Sequence, residues 1–195
     1  MKRLGHDRFA VVGHDIGGMV AYALAARHPA SIEKLVLSEF WLPGFGLEEG
    51  MDVAKGGSFH FGFHMKPELA TALTENKVGY YLRKQAFTGM PLSDQKIFVA
   101  SYERAGRMRA GFEHYAPLLK DGQEFRLLAA NGKLEMPVLV IGGEKSFPVE
   151  KLAGGVRQVT AAPPRVQVIS GAHHWLPLEQ PDSTAKVLGD FLISG

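Results

Sequence analysis

One aspartate stands where a strand-to-helix turn would present a nucleophile. Asp15 lies in the run Val-Val-Gly-His-Asp-Ile-Gly-Gly at residues 11–18, where an apolar strand gives way to a glycine-flanked turn and then to a helix. Gly13 and Gly17 allow a sharp turn, since a Cβ at either place is expected to collide with neighbouring backbone. A carboxylate is ionised at neutral pH, and as a nucleophile it attacks an electrophilic alkyl carbon and forms an ester. Epoxides and carbon–halogen bonds offer such carbons.

The alternative is that Asp15 only caps the helix that follows it. Aspartate at a helix N-cap accepts bonds from backbone N–H groups, and many strand-to-helix turns contain glycine. The rest of the chain argues against this role, because an acid and a histidine follow Asp15 in the order nucleophile, acid, histidine. We therefore expect Asp15 to be a nucleophile.

Alternating strands and helices must position this aspartate. Short, continuous apolar runs bounded by glycine, proline or charge are expected for strands buried on both faces of a parallel sheet. These runs are residues 9–12, 35–37, 138–141 and 166–169. Helices fit between and after them at residues 19–28 and 182–193. The alternation predicts a doubly wound α/β core made of residues 1–41 and 133–195.

Residues 42–132 interrupt this alternation and predict an inserted helical cap. They show helical periodicity, no convincing strand, and an entry rich in glycine and aromatic residues. Residues 67–87 and 93–105 are typical of amphipathic helices. The side chains expected to be buried on these two helices are Leu69, Leu73, Tyr80, Tyr81, Ile97, Phe98 and Tyr102.

The composition is that of an ordinary globular chain. Of its 195 residues, 46% are hydrophobic and 22% are charged, and the formal net charge is +2. Lys and Arg are scattered, so no nucleic-acid partner is expected. The lack of cysteine excludes disulfides and thiolate metal sites, and we expect neither a metal nor another cofactor. The sequence shows no apolar signal core and no run of membrane-spanning length, so a cytoplasmic location away from membranes is expected.

Four local motifs, in register with one another, carry a family resemblance. They are Gly-His-Asp-Ile-Gly-Gly at residues 13–18, Phe-His-Phe-Gly-Phe at 59–63, Ala-Gly-Phe-Glu-His-Tyr at 110–115 and Gly-Ala-His-His-Trp-Leu-Pro at 171–177. They resemble the nucleophile turn, the two cap segments with ring-opening groups, and the histidine loop of the epoxide hydrolase branch of the α/β-hydrolase family. The resemblance runs from about residue 5 to residue 192. It implies the C-terminal portion of an α/β-hydrolase fold, with a helical cap, that opens epoxides to diols.

The resemblance assigns the general base to His174, because the family's catalytic histidine stands directly before a tryptophan, here Trp175. Its expected task is to activate a water molecule that hydrolyses the ester on Asp15. His173, where the family commonly has glycine, is expected to be a surface loop imidazole. The backbone N–H of Ile16 is expected to form part of the oxyanion hole.

The acid that orients His174 is expected to be Glu39. It directly follows a strand of the parallel sheet, and the carboxyl ends of such strands open on the catalytic face. Many hydrolases instead place an aspartate after the next strand, in a segment that aligns with residues 142–146. Ser146 occupies that position here, so Glu144 is the alternative acid from this loop.

Ring opening also requires a proton donor, because an alkoxide leaves poorly unless it is hydrogen-bonded or protonated. Tyr115 and His60 are the candidates, since a phenol and a neutral imidazole can both donate to one oxygen from the side opposite Asp15. Packing is the alternative role for aromatic residues in the cap. His64 and His114 are expected to be structural.

Two side chains argue against related halide chemistry. Haloacetate dehalogenases of this fold typically carry arginine directly after the nucleophile and again three residues later, and haloalkane dehalogenases usually carry tryptophan directly after it. Here these positions hold Ile16 and Met19, which offer no side-chain donor for a carboxylate or a halide. The expected substrate is therefore a small apolar epoxide. A haloalkane or haloacetate dehalogenase is the alternative.

The family normally has four strands and a helix ahead of the nucleophile turn, so the resemblance implies a shortened version of a longer hydrolase. A loop that supplies a second oxyanion N–H would belong to the part ahead of the turn. We expect these 195 residues alone to be poorly active and to associate, homo-oligomers included, through the unpaired edge of the strand at residues 9–12. A truncated, non-catalytic binding module is the hypothesis from a different class.

Overall fold

The computed structural model describes residues 1–193 and contains one parallel sheet of strand order β1-β2-β3-β4. The strands are β1 (Phe9–His14), β2 (Ile32–Ser38), β3 (Val138–Gly143) and β4 (Arg165–Ile169). The α-helices are α1 (Ile16–Arg27), α2 (Leu47–Gly50), α3 (His60–His64), α4 (Pro67–Thr74), α5 (Val78–Gln85), α6 (Leu92–Tyr102), α7 (Arg107–Glu113), α8 (Leu118–Asn131), α9 (Val149–Arg157), α10 (Leu176–Glu179) and α11 (Pro181–Ile193). Short 3₁₀-helices lie at Lys2–Leu4, Pro29–Ser31 and Val53–Lys55.

The four strands are parallel, so their carboxyl ends lie on the same side of the sheet. All four predicted strands are confirmed, and the parallel register pairs Val12 with Val36 and Leu35 with Val138. β1 is an edge strand of this sheet, where Val12 is 49% exposed. Because parallel strands end on the same side, the loops that follow them converge. These loops carry the predicted nucleophile, acid and base.

Helices cover both faces of the sheet. Leu35 and Leu37 of β2 lie in an apolar cluster with α1, α8 and α9, whereas Val36 lies in a second cluster with α10 and α11. This alternation follows from the two-residue period of a strand. Tyr22 of α1 and Phe125 of α8 are buried against each other, with ring centroids 4.9 Å apart. The predicted α/β architecture is therefore confirmed.

The chain between β2 and β3 contains helices and no strand among the described residues. Helices α4 to α7 share an apolar cluster of their own, which includes Ala70, Leu82, Val99 and Phe112. Helices α2 and α8 instead pack in the sheet-side cluster. We propose that residues 42–132 form a cap whose body is α4 to α7. Within residues 1–193, no helix combines the length and apolar character needed to cross a membrane.

Two expectations about the cap helices are wrong. Residues 67–87 do not form one helix, because residues 75–77 separate α4 from α5, with Asn76 in the left-handed region at φ 59°. The side chains expected to be buried but found to be exposed are Leu69, Leu73, Tyr80 and Ile97. The other three are partly buried: Tyr81, Phe98 and Tyr102. Because of this break, each short helix packs through its own face. The buried residues of α4 are Ala70 and Thr74, each one position after an expected leucine.

Candidate active site

Asp15 occupies a strained turn between β1 and α1. Its backbone torsions are φ 53° and ψ −128°, a conformation that residues other than glycine rarely adopt. The Asp15 N–H donates to the Ser38 carbonyl oxygen (2.9 Å), and the Gly18 N–H donates to the Asp15 carbonyl oxygen (2.8 Å). The carboxylate makes no capping hydrogen bond, so the helix-cap interpretation is wrong. Its side chain is 39% exposed and lines a cavity.

The glycines of this turn differ in the space around them. A Cβ at Gly13 would lie 2.3 Å from the Gly17 carbonyl oxygen, whereas a Cβ at Gly17 would meet nothing within 4 Å. The expected collision is therefore correct for Gly13 and wrong for Gly17. The second close approach occurs at Gly18, where a Cβ would lie 2.8 Å from Cγ of Phe40.

We expect Gly13→Ala to lower the free energy of unfolding by about 1–3 kcal/mol or more, because the new methyl group meets backbone that cannot rotate away. Gly17→Ala is the matched control, since it adds the same methyl group in open space. Urea unfolding followed by circular dichroism measures both variants. An equal loss of stability in the two variants would contradict the steric explanation.

The imidazole of His174 lies between the carboxylates of Asp15 and Glu39. Its Nε2 atom is 3.2 Å from Oδ2 of Asp15, and its Nδ1 atom is 3.2 Å from Oε2 of Glu39. Asp15 follows β1, Glu39 follows β2 and His174 lies in the loop after β4. One ring nitrogen thus faces Glu39 and the other faces Asp15, which is the geometry that a nucleophile, a base and an orienting acid require.

The structure brings Glu39, and not Glu144, to the histidine. Glu39 sits in a left-handed turn at φ 49°, and its side chain has no solvent exposure. It also accepts hydrogen bonds from the Gly143 N–H (2.6 Å) and the Ser146 hydroxyl (2.5 Å). Glu144 is exposed and accepts instead from the Ser170 hydroxyl at 3.0 Å. Glu144 thus faces the loop after β4 on the outside of the site.

The charges of the three groups support one another. Burial alone would lower the pKa of His174, but hydrogen bonds and charges from Asp15 and Glu39 outweigh burial and raise that pKa to about 9. Burial alone would raise the pKa of Asp15, but the hydrogen bond and charge of His174 bring it below its ordinary value. Both shifts favour an imidazolium at His174 and an ionised carboxylate at Asp15.

Two side chains that we did not single out from the sequence hold the histidine loop. Nε2 of His14 lies 2.9 Å from the His174 carbonyl oxygen, with ring centroids 4.6 Å apart. Burial, and next the charge of His174, lower the pKa of His14, so a neutral ring fills this place. Glu179 accepts from the backbone N–H groups of His173 (2.9 Å) and Trp175 (2.8 Å). Adjacency to Asp15 was a usable signal for His14, whereas no local pattern marks Glu179.

His173 is not the surface imidazole that we expected. Its Nδ1 lies 2.9 Å from Oε2 of Glu179, and its side chain is only 30% exposed. Trp175, which follows His174, contacts the cap. Its Nε1 atom donates to the Ala86 carbonyl oxygen (2.5 Å). The loop that carries His174 is thus held by Glu179 on one side and by the cap on the other.

Residues of the cap and Asp15 line one cavity of about 250 Å³. Tyr115 and His60 both line it, with ring centroids 5.8 Å apart and nearly perpendicular rings. Burial lowers the pKa of His60 to about 4. Burial, and next the charge of Asp15, raise the pKa of Tyr115 above its ordinary value. Both groups are therefore neutral near pH 7 and can donate hydrogen bonds into the cavity.

The other two histidines of the cap differ from each other. His64 is buried, with Nε2 2.6 Å from the Tyr81 hydroxyl oxygen and its ring perpendicular to Tyr115 at a centroid distance of 4.4 Å. Burial lowers the pKa of His64 to about 3. His114 is exposed. His64 also lines the cavity beside His60 and Tyr115, and the structural roles expected for both residues stay predictions.

The remaining expectations concern the oxyanion hole and metal ions. Ile16 is the first residue of α1, so its N–H has no carbonyl partner within that helix. It directly follows Asp15 and can donate to an oxyanion formed there.

Among residues 1–193, no group of three or more histidine, aspartate or glutamate side chains could hold a metal ion.

Known proteins resemble this chain in sequence and in fold. A family model described as alpha/beta hydrolase fold matches residues 1–181. The chain is 29% identical to the soluble epoxide hydrolase of Corynebacterium sp. (strain C12), over 93% of this chain and 65% of that protein. It is 24% identical to epoxide hydrolase 4 of Homo sapiens, over 98% of this chain and 55% of that protein.

A solved structure gives the same result. Cfl2 from Burkholderia cenocepacia superposes with a TM-score of 0.80 and 28% sequence identity, over 98% of this chain and 67% of Cfl2. The chain therefore spans between about half and two thirds of the length of the curated relatives that it matches. With nearly all of its residues matched, the chain belongs to the α/β-hydrolase family, and its curated relatives come from the epoxide hydrolase branch of that family.

Proposed function

We propose that this chain carries the catalytic groups of an epoxide hydrolase, which opens epoxides to diols through an alkyl ester on Asp15. The observation that carries the proposal is the His174 imidazole, which lies 3.2 Å from both Asp15 and Glu39. The cap donors Tyr115 and His60 line the same cavity as these groups. The chain spans only part of the length of its relatives, so the activity of the whole protein is also a proposal.

In the first step, a carboxylate oxygen of Asp15 bonds to an epoxide carbon. The carbon–oxygen bond of the ring breaks, and its electron pair stays on the oxygen. Tyr115 and His60 donate hydrogen bonds to that oxygen, and the Tyr115 proton moves onto it as charge develops. The Ser58 hydroxyl lies 2.6 Å from Nδ1 of His60. When it donates there, the His60 proton is on Nε2.

In the second step, His174 becomes a base. Ester formation removes the charge of Asp15, which is one of the two charges that keep the pKa of His174 high. The pKa falls, the imidazolium releases its proton to solvent, and the neutral ring then accepts a proton from a water molecule that attacks the ester carbonyl carbon. The Ile16 N–H stabilises the tetrahedral oxyanion. Its collapse breaks the bond between the carbonyl carbon and the diol oxygen, which takes up the hydroxyl proton, and restores the carboxylate of Asp15. Solvent returns the proton to the Tyr115 oxygen as the diol leaves.

The cavity favours a small, apolar substrate. Its volume of about 250 Å³ is below the range of roughly 300–1,000 Å³ that is typical of sites for drug-sized ligands. Besides the catalytic groups, its walls include the apolar side chains of Met19, Trp41, Phe61, Phe147 and Trp175. Ile16 and Met19 stand where dehalogenases carry groups for a halide or a carboxylate. This favours epoxides over halides.

A single-turnover reaction in water enriched in oxygen-18 tests the covalent route. Water attacks the ester carbonyl, so the first diol formed should contain only unlabelled oxygen and Asp15 should acquire the label. Peptide mass spectrometry and diol analysis detect both outcomes. Label in the first diol would mean direct attack by water and would overturn the mechanism. Tight binding without turnover would favour the binding-module hypothesis.

We expect Tyr115→Phe to reduce epoxide turnover by roughly 10²-fold or more, because a positioned general acid contributes on this scale. The ring and its packing against His64 remain, so the hydroxyl alone is removed. Tyr80→Phe is the matched control, since Tyr80 lies on the cap and is 68% exposed. Steady-state kinetics compare the two variants. Equal activities would remove Tyr115 from the mechanism.

A further inference from the structure

One oxygen of the buried acid is shared between two donors. Oε2 of Glu39 accepts from the Ser146 hydroxyl at 2.5 Å and lies 3.2 Å from Nδ1 of His174. The other oxygen, Oε1, accepts from the Gly143 N–H at 2.6 Å. The shorter of the two contacts to Oε2 is thus made by the serine. Ser146 therefore competes with the catalytic histidine for the same lone pairs.

Ser146 is well placed to hold this contact. Its backbone N–H donates to the Gly143 carbonyl oxygen (3.1 Å), which ties the residue to the end of β3. A Cβ at Gly142 would lie 3.1 Å from Oε1 of Glu39, so the end of β3 also packs closely against the carboxylate. Ser146 stands at the position where many hydrolases carry their acid. Here this position supplies a donor to an acid from the neighbouring strand.

We infer that Ser146 is a positioning residue that limits how strongly Glu39 binds His174, and thereby sets the pH range in which His174 can act as a base. The inference rests on the proposed function for its catalytic meaning. A hydroxyl that donates to a carboxylate takes up part of its negative charge, which weakens the hydrogen bond of that carboxylate to a second donor.

Removing the hydroxyl should strengthen the bond between Glu39 and His174. The imidazolium form of His174 would become more stable and its pKa would rise, since the full charge of Oε2 would then face Nδ1. The other titratable groups around the imidazole are Asp15, His14, His60 and the pair of His173 with Glu179, and Tyr115 and Lys145 line the same cavity. Among the hydrogen bonds of the described structure, none joins Ser146 to these groups. The effect of a substitution at Ser146 should therefore reach His174 through Glu39.

NMR titration of ¹⁵N-labelled histidines in the ligand-free chain tests this inference. We expect Ser146→Ala to raise the pKa of His174 by about one unit, a tenfold change in its protonation equilibrium. Ser146→Thr keeps a hydroxyl and should titrate like the parent, whereas Ser146→Val, of similar shape, should titrate like the alanine variant. Ser170→Ala is the control, because it removes a hydroxyl that donates to the carboxylate of Glu144 instead.

The outcomes separate a tuning role from a purely structural one. An unchanged or lowered pKa in the alanine and valine variants would overturn the inference, as would equal shifts in the threonine and valine variants. The threonine and valine pair keeps the test decisive where the alanine variant folds poorly. Since the titration needs no turnover, its result is independent of the oxygen-18 experiment, and either proposal can fail while the other stands.

Discussion

Replacing His174 with glutamine should stop the reaction at the ester of Asp15. Glutamine cannot accept a proton from water, so the ester forms and is not hydrolysed. We expect steady-state turnover to fall by about 10⁴-fold or more, the scale seen when a catalytic triad loses its base. Incubation with a small aryl epoxide should add the mass of one substrate molecule to the protein. Peptide mass spectrometry should locate that mass on Asp15.

Two further variants make this experiment decisive. His114→Gln removes an exposed imidazole of the cap and should retain turnover without a stable adduct. Adding Asp15→Asn to His174→Gln should abolish the adduct, because the amide is a far weaker nucleophile than the carboxylate. An adduct on another residue, or turnover that survives in the His174 variant, would contradict the proposed roles.

Replacing Glu39 with glutamine should produce the next largest loss, about 10⁴-fold in turnover. The amide has nearly the same shape but lacks the charge that stabilises the imidazolium and orients the ring. With that charge gone, the pKa of His174 should fall below the value of about 9 that two carboxylates maintain. More of the histidine would then be in its neutral, basic form near pH 7. A slower reaction would therefore mean that the ring is no longer oriented and that the imidazolium formed in the reaction is no longer stabilised. Kinetics and NMR titration over the same pH range measure both effects.

Glu144→Gln is the matched control for this variant. Glu144 follows β3 as Glu39 follows β2, but its exposed carboxylate accepts from Ser170 and lies outside the site. Turnover and the titration of His174 should both remain close to those of the parent. An equal loss in the Glu39 and Glu144 variants would mean that neither acid has the assigned role.

Tertiary contacts explain why the cap was predicted less well than the sheet. The strand runs are apolar on both faces because helices cover the sheet on both sides, so their sequence alone identifies them. The cap helices are short, and their buried stripes depend on neighbours from other helices. Leu69 and Leu73 fit an apolar stripe, yet α4 packs through Ala70 and Thr74. Periodicity locates such a helix but does not say which stripe faces the core.

Local sequence determined the groups that the proposed chemistry uses. Glycines around Asp15 predicted the turn after β1, and parallel strands predicted that the residues following them would converge. The sequence favoured Glu39 over Glu144, and the folded chain shows that the Glu39 carboxylate reaches His174 whereas that of Glu144 accepts from Ser170.

The contacts that adjust the site came from the tertiary structure alone. Ser146 shares an oxygen of Glu39 with His174, and Glu179 holds the backbone of the histidine loop. Ser146 contacts a residue more than one hundred positions away in the chain, and Glu179 binds backbone N–H groups, which every residue but proline carries. The sequence by itself therefore determined which side chains can react, since residue type and local turns are encoded nearby. Only the folded chain decided which of them meet and with what charge, because distance and burial arise when remote segments pack together.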